Sequence, residues 1–294
     1  MNKLLFTVYR VFVPKPFRTV ILKKSLRRKI LKYYASLPEN EVNDEQREIL
    51  KYLENNQIRI FPYPFHENYS SDKIEVVYDK ERGMRYVLHK GERLYFRKRW
   101  NEKRIKRAYS DLLREQDNDS PHRYLTGTFT VGENDVIADI GAAEGNFSLE
   151  VIDKVKKIYI FEHNKYWIEA LKSTFAPWPE KVEIIGKYVS DINVINHIKL
   201  DTFFEDRKDI TFLKIDVDGA EAIVLNSCKD IFKSDRPLKV VLCTYHKNND
   251  EKVFTELLKN QGFIVKPSKG YMINYYDKKL ETPYFRRGLI RAEK

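Results

Sequence analysis

The residues of this chain best suited to chemistry are acids standing at the ends of apolar runs. In Val136-Ile-Ala-Asp-Ile-Gly-Ala-Ala-Glu-Gly-Asn-Phe-Ser-Leu149, an apolar run meets Asp139, turns through Gly141-Ala-Ala-Glu-Gly145 and enters helix-like sequence at Asn146. Glycines there let the backbone approach a ligand without Cβ interference, and the helix that follows offers unpaired N–H groups. Lys157-Ile-Tyr-Ile-Phe-Glu162 reads as the next strand. Glu162 falls about 20 residues past the glycines, where α/β folds set a carboxylate on a ribose diol. A third run, Ile210 to Leu225, turns acidic at its end, and alternation puts Lys214, Asp216 and Asp218 on one face. Ligands in open α/β sheets sit beyond the carboxyl ends of strands, so Asp216, Asp218 and Glu221 become site candidates. Asp218 and Glu221 have a plainer reading as acids favourable at a helix start.

The turn itself discriminates between cofactors. The nicotinamide fingerprint is G-x-G-x-x-G, whereas this chain reads G-x-x-x-G with Glu144 inside it. A negative turn repels a pyrophosphate and tolerates or attracts a cation such as the sulfonium and ammonium of S-adenosylmethionine. An NAD-dependent oxidoreductase is therefore disfavoured. The bland alternative is an ordinary strand-turn-helix corner, but Glu162 is an independent match to a nucleoside site.

Together, Asp139-Ile-Gly-Ala-Ala-Glu-Gly145, Leu200-Asp-Thr-Phe203 and Leu213-Lys-Ile-Asp-Val-Asp-Gly-Ala-Glu221 resemble the FkbM-type methyltransferases over roughly residues 120–275. The resemblance implies a class I, Rossmann-like α/β fold with a doubly wound, mostly parallel sheet, and S-adenosylmethionine as methyl donor. It implies O-methylation of a sugar or other hydroxyl, in a bacterial surface glycan or a lipid-linked precursor. The donor site it implies spans Asp139, Gly141, Ala142, Glu144, Gly145, Asn146, Glu162 and Asp216, with Ser190 and Asp191 past the third strand where relatives hold the adenine. Many relatives carry Glu where this chain has the shorter Asp218. Tyr245-His-Lys247 is similar to a subset of the family.

Methyl transfer from a sulfonium is an in-line displacement, so alignment and exclusion of water matter most. A sugar hydroxyl also needs somewhere for its proton to go. His246, past the fifth apolar strand, titrates nearest neutrality and is a candidate base, with a structural or orienting role as the alternative. Asp216, Asp218 and Glu221 are the other candidate bases, or oxygens for a divalent metal, though no metal site is predicted.

Charge is concentrated at one end. Residues 1–34 hold ten Lys or Arg and no acid, against a net of +11 for all 294 residues; the rest has 44 basic and 43 acidic residues. A nearly neutral body argues against a broad nucleic-acid footprint. A nucleic-acid methyltransferase is further disfavoured because no Pro-Pro-aromatic motif follows the fourth strand and no Pro-Cys pair is present. A non-catalytic donor-binding module is the other rival; the intact Asp139, Gly141, Gly145 and Glu162 argue against decay of that site. Leu4 to Val13 is too short to span a bilayer. Leu22, Leu26, Ile30 and Tyr33 form a stripe at helical spacing beside many cations. Such a helix suits an anionic membrane surface, or docking on the body or a partner. Two cysteines without metal spacing suit a reducing compartment, hence the cytoplasm or the inner face of its membrane, with Cys243 read as a small core residue.

These features must be positioned by a basic segment (1–38), a helix and three-stranded meander (39–120) and an α/β domain (121–294). The helix starts near Asn43 or Asp44. The meander strands are Ile74–Tyr78, Met84–Leu88 and Leu94–Phe96, followed by a charged helix near Glu102–Arg114. Parallel strands are expected near 135–140, 157–162, 182–188, 210–216 and 238–244. The resemblance adds an antiparallel pair near 262–266 and 270–275.

Overall fold

The computed structural model describes residues 15–294 apart from residue 208, and the side chains from residue 19 onward. The apolar run Leu4–Val13 lies outside the described residues.

Five Val- and Ile-rich segments form parallel strands at the expected places: β4 (Val136–Ile140), β5 (Lys157–Phe161), β6 (Val182–Ile185), β9 (Phe212–Ile215) and β10 (Lys239–Cys243). β4 and β9 are buried at every position, as strands covered on both faces must be. β11 (Ile264–Pro267) and β12 (Leu289–Glu293) complete a seven-stranded sheet of order β11-β12-β10-β9-β4-β5-β6, with β12 antiparallel to both neighbours. The strand order reverses between β4 and β9, which opens a crevice at the carboxyl ends of these two parallel strands.

Two strand boundaries differ from expectation. The partner of β11 is β12, not residues 270–275. Met272 and Ile273 are apolar because they pack with Phe61, Tyr63 and Phe285 in a separate core, and a single bridge from Met272 to Arg286 is their only ladder contact among the described residues. The third parallel strand ends at Ile185; beyond Gly186, β7 (Tyr188–Val189) pairs with β8 (His197–Ile198) outside the main sheet.

The meander forms as β1 (Val77–Asp79), β2 (Met84–His89) and β3 (Glu92–Tyr95), followed by a helix at Glu102–Glu115. Met84, Val87, Leu94, Phe96 and Ile105 share one apolar cluster with Ile137, Phe147, Trp167 and Phe212, so the meander packs on the sheet's helical layer.

The N-terminal region contributes α1 (Lys15–Ala35) and α2 (Asp44–Asn55). Asn43 caps α2 in a reciprocal box with Gln46. Along α1 the expected stripe divides. Ile30 and Tyr34 are buried with Leu26 and Tyr33 partly covered beside them, whereas Leu22 is 65% exposed. Tyr34 stacks on Phe285 at 4.6 Å and donates to the Pro283 carbonyl at 2.8 Å, and Arg27 donates to the carbonyls of Leu53 and Glu54. The C-terminal half of α1 is thus docked on the body. Among the described residues no helix is long and apolar enough to cross a membrane.

Candidate active site

The glycine turn after β4 is sterically committed. Gly141 has φ of +77°, and a Cβ there would lie 2.0 Å from the Asp216 carbonyl oxygen; at Gly145, φ +81°, a Cβ would meet Leu171 at 2.6 Å. Neither place accepts a side chain. Beneath the turn, Asp139 is fully buried, 3.0 Å from the Lys214 ammonium and accepting from Ser148 Oγ at 2.7 Å. Lys214 also donates to the Gly141 carbonyl at 2.8 Å. Burial alone would lower the Lys214 pKa, but Asp139 and Asp216 outweigh it and raise it above the usual lysine value. A buried cation thus joins β4, the turn and β9.

Glu162, at the end of β5, is 6% exposed and spans the crevice floor. One oxygen accepts from the Ala143 N–H at 3.0 Å and the other from the Asn164 N–H at 2.7 Å. Above it opens a cavity of about 360 Å³ lined by Arg97, Gly141, Ala143, Glu162, His163, Asn164, Trp167, Tyr188 and Asp216 among others. His163 and Tyr188 stack at 3.8 Å along one wall. Arg97 comes from the segment after β3, lies 4.2 Å over the Trp167 ring, and leaves its buried Nε without a partner. Its pKa is lowered, by desolvation first, with Arg104 adding to that and Glu162 and Glu144 opposing it.

On the β9–β10 side, Asp216 accepts from the Tyr124 hydroxyl at 2.8 Å and lies 3.6 Å from His122 Nε2. Burial pushes the Asp216 carboxyl up, but His122, Lys214, His246 and the Tyr124 bond together hold it below the usual range. His122 is itself driven down to about 4, by desolvation above all, and so is neutral near pH 7. Glu221 is fully buried; its Oε1 accepts from the Val217 and Gly219 N–H groups and stands 3.0 Å from His246 Nδ1. Asp218, at φ +53°, is wholly exposed and 3.7 Å from His246 Nε2. Desolvation opposes charge on His246, yet bonds to Asp218 and Glu221 raise its pKa to about 10. The carboxylates beside it favour the imidazolium near neutral pH, whereas the sequence alone suggests a group that titrates near neutrality. Asp216, Glu221 and His246 each place a donor atom within 4.8 Å of the others, as do His122, Asp216 and Cys243. In the first group the charged imidazole itself occupies the negative field.

Residues 146–265 match the methyltransferase FkbM domain. That match, over about two fifths of the chain, is what it shares with the FkbM methyltransferases. Solved structures that share the fold in part include an FkbM methyltransferase of Methylobacillus flagellatus KT, with 13% identity, 66% of this chain and 53% of that one covered, and a TM-score of 0.45. Others are the precorrin-6y C5,15-methyltransferase of Geobacter metallireducens GS-15 (17%, 56% and 83%, TM-score 0.40) and an rRNA methylase of Streptococcus thermophilus (16%, 56% and 89%, TM-score 0.38). The chain spans about half the length of the first of these. No curated protein sequence matches it.

Within the α/β domain, Gly141, Glu162, Asp216 and Asp218 line the one cavity, with Ala142, Glu144, Gly145 and Asn146 forming the turn and helix start around it. Asp139 is enclosed beneath the turn. Glu221 and His246 staple the loop after β9. Ser190 and Asp191 fall just beyond the lining, which takes Lys187, Tyr188 and Val189 instead; Ser190 Oγ is bonded within its own loop. Cys243 is buried, as expected, with its thiol pKa pushed up by burial. Sequence reading missed Arg97, Trp167, His122 and Tyr124. Arg97 lies in a basic stretch with no motif, and His122 and Tyr124 follow a polar break that signals only a boundary. A larger hollow of about 420 Å³, walled by Glu45, Tyr63, Arg123 and Arg291, holds none of the predicted residues.

Proposed function

We propose that this chain is an FkbM-type methyltransferase that uses S-adenosylmethionine to methylate a hydroxyl of a sugar, in a bacterial surface glycan or its lipid-linked precursor. The observation that carries the donor half is the Glu162 carboxylate on the crevice floor, facing a cavity closed by a turn that admits no side chain. Glu162 suits the ribose diol, the His163–Tyr188 wall suits a purine, and the acids around Asp216 suit the donor's cationic end. When bound, the donor supplies a methyl group on a sulfonium. Asp216, aimed by Tyr124, then holds the acceptor hydroxyl in line with that carbon. Oxygen becomes strongly acidic as it gains the methyl, so a carboxylate of low pKa suffices when the proton leaves late. His246, fixed as a cation, orients Glu221 and the loop rather than acting as the base.

The acceptor class rests on the family resemblance and on the hydroxyl-sized polar chemistry at Asp216; a non-catalytic module is the rival reading. Calorimetric titration with S-adenosylmethionine, its demethylated product and NAD, each with and without magnesium, tests the donor. We expect the first two to bind and NAD not to; NAD binding would overturn the reading of the turn. Transfer of labelled methyl to glycan fractions tests the acceptor, and label found in RNA instead would refute it.

A further inference from the structure

We infer that α1 is a two-sided helix, docked on the protein by one face and presenting the other to an anionic lipid surface. Lys23, Leu26, Arg27, Ile30 and Tyr34 recur at helical spacing and are all engaged: Lys23 lies 4.2 Å over the Tyr275 ring, Arg27 binds carbonyls of α2, and the other three pack in the apolar core. Ile21, Lys24, Arg28 and Lys32 recur at the same spacing on the opposite side, and all are exposed. Val20, Ile21 and Leu22 are 44%, 49% and 65% exposed at the far end of the docked half. Apart from Leu22, the apolar stripe read from the sequence is therefore spent on the protein, and the free face is cationic with an apolar tip.

Charge decides the kind of partner. All ten cations of residues 1–34 stand without an acid among them, whereas the remaining chain is close to neutral. A nucleic acid would draw on cations spread along a groove of the body. A bilayer surface instead takes a local cationic face with a few apolar side chains, each cation adding to attraction that fades within a Debye length. The apolar Leu4–Val13 run, in the same segment and interrupted only by Arg10, matches that chemistry. Placement matters too. The core that holds Ile30 and Tyr34 also packs Tyr245, whose ring is 4.0 Å from that of His246. A surface held by α1 would lie on the side of the molecule where the strand ends open.

This inference does not depend on the donor reading, and its test is separate. The full chain is sedimented with vesicles of phosphatidylcholine alone and of phosphatidylcholine mixed with phosphatidylglycerol, at low and high salt, beside a single-stranded RNA. We expect binding only to the anionic vesicles, weakened by salt. Joint Lys24→Glu, Arg28→Glu and Lys32→Glu substitution should reduce it by about tenfold or more. Ile21→Ser with Leu22→Ser should remove the part that survives salt. An unchanged circular dichroism spectrum and thermal unfolding midpoint in every variant show that the fold is intact. No sedimentation with anionic vesicles, indifference to the three charge reversals, or RNA binding in preference to vesicles would overturn the inference.

Discussion

On the β4–β5 side of the crevice two carboxylates are tied down, Asp139 to Lys214 and Ser148, Glu162 to two backbone N–H groups. On the β9–β10 side the acids face one another and an imidazole, with Asp218 in solvent and His246 carrying a displaced pKa. The first arrangement is a rigid mould, suited to a ligand that is the same in every turnover. The second stores charge that an arriving acceptor can rearrange. On the proposed reading, rigidity is placed where the donor would be recognised, and electrostatic freedom where the reaction would occur.

The comparison is broken most directly at Asp139. Asp139→Ala takes the ion-pair partner at 3.0 Å from the buried Lys214, and we expect a loss of about 3–5 kcal/mol in urea denaturation. A loss under about 1 kcal/mol would mean that the mould is not held from beneath. Glu162→Gln removes a charged acceptor but no packing volume. It should weaken the donor and its demethylated product alike, by about ten- to a hundredfold in calorimetry, and cost about 1–3 kcal/mol in stability because one backbone N–H loses its acceptor. Weakening of only one of the two would place Glu162 away from the ribose they share.

Arg97→Gln sharpens the same contrast, since Arg97 reaches the cavity from outside the sheet with its Nε unpartnered. We expect about tenfold weaker binding of the demethylated donor, which carries a carboxylate. Methylthioadenosine, which lacks that carboxylate, should bind the variant as it binds the parent. An equal loss for both ligands would assign Arg97 to the nucleoside instead. The smallest effect concerns His246. Its folded pKa of about 10 exceeds the ordinary 6.5, so its contribution to stability is full below pH 6.5 and lost as pH climbs through 10. His246→Gln should flatten the stability profile across that window, and an unchanged slope would show that the imidazole is neutral in the fold.

The grouping of the glycine turn and Glu162 around one cavity was legible in the sequence because it is local. Gly141, Gly145 and Glu162 lie within one strand-turn-helix-strand unit, and their spacing is dictated by the turn they build. The parallel strands were legible for a similar reason, being continuous Val and Ile runs. What was not legible depends on distant partners. His246 reads as an ordinary histidine until Glu221 and Asp218 are seen beside it, and Arg97 is one cation among many until Trp167 lies under it. The misplaced partner of β11 has the same origin: Met272 and Ile273 are apolar for a core contributed largely by residues 30–65, more than two hundred positions away.

Glu144 sits in the glycine turn, where desolvation, aided by Asp139 and Asp216 and opposed by Lys214 and a backbone N–H, pushes its carboxyl to about 7. Near physiological pH it is half titrated, beside the place proposed for a ligand that arrives with a positive sulfur and departs with a neutral one. A cation entering there expels the Glu144 proton into the buffer, and the spent thioether lets it return. The heat of donor binding would then change with the ionisation enthalpy of the buffer, while that of the product would not. The turn would act as an exchangeable counter-ion, matching its own charge to the stage of the cycle.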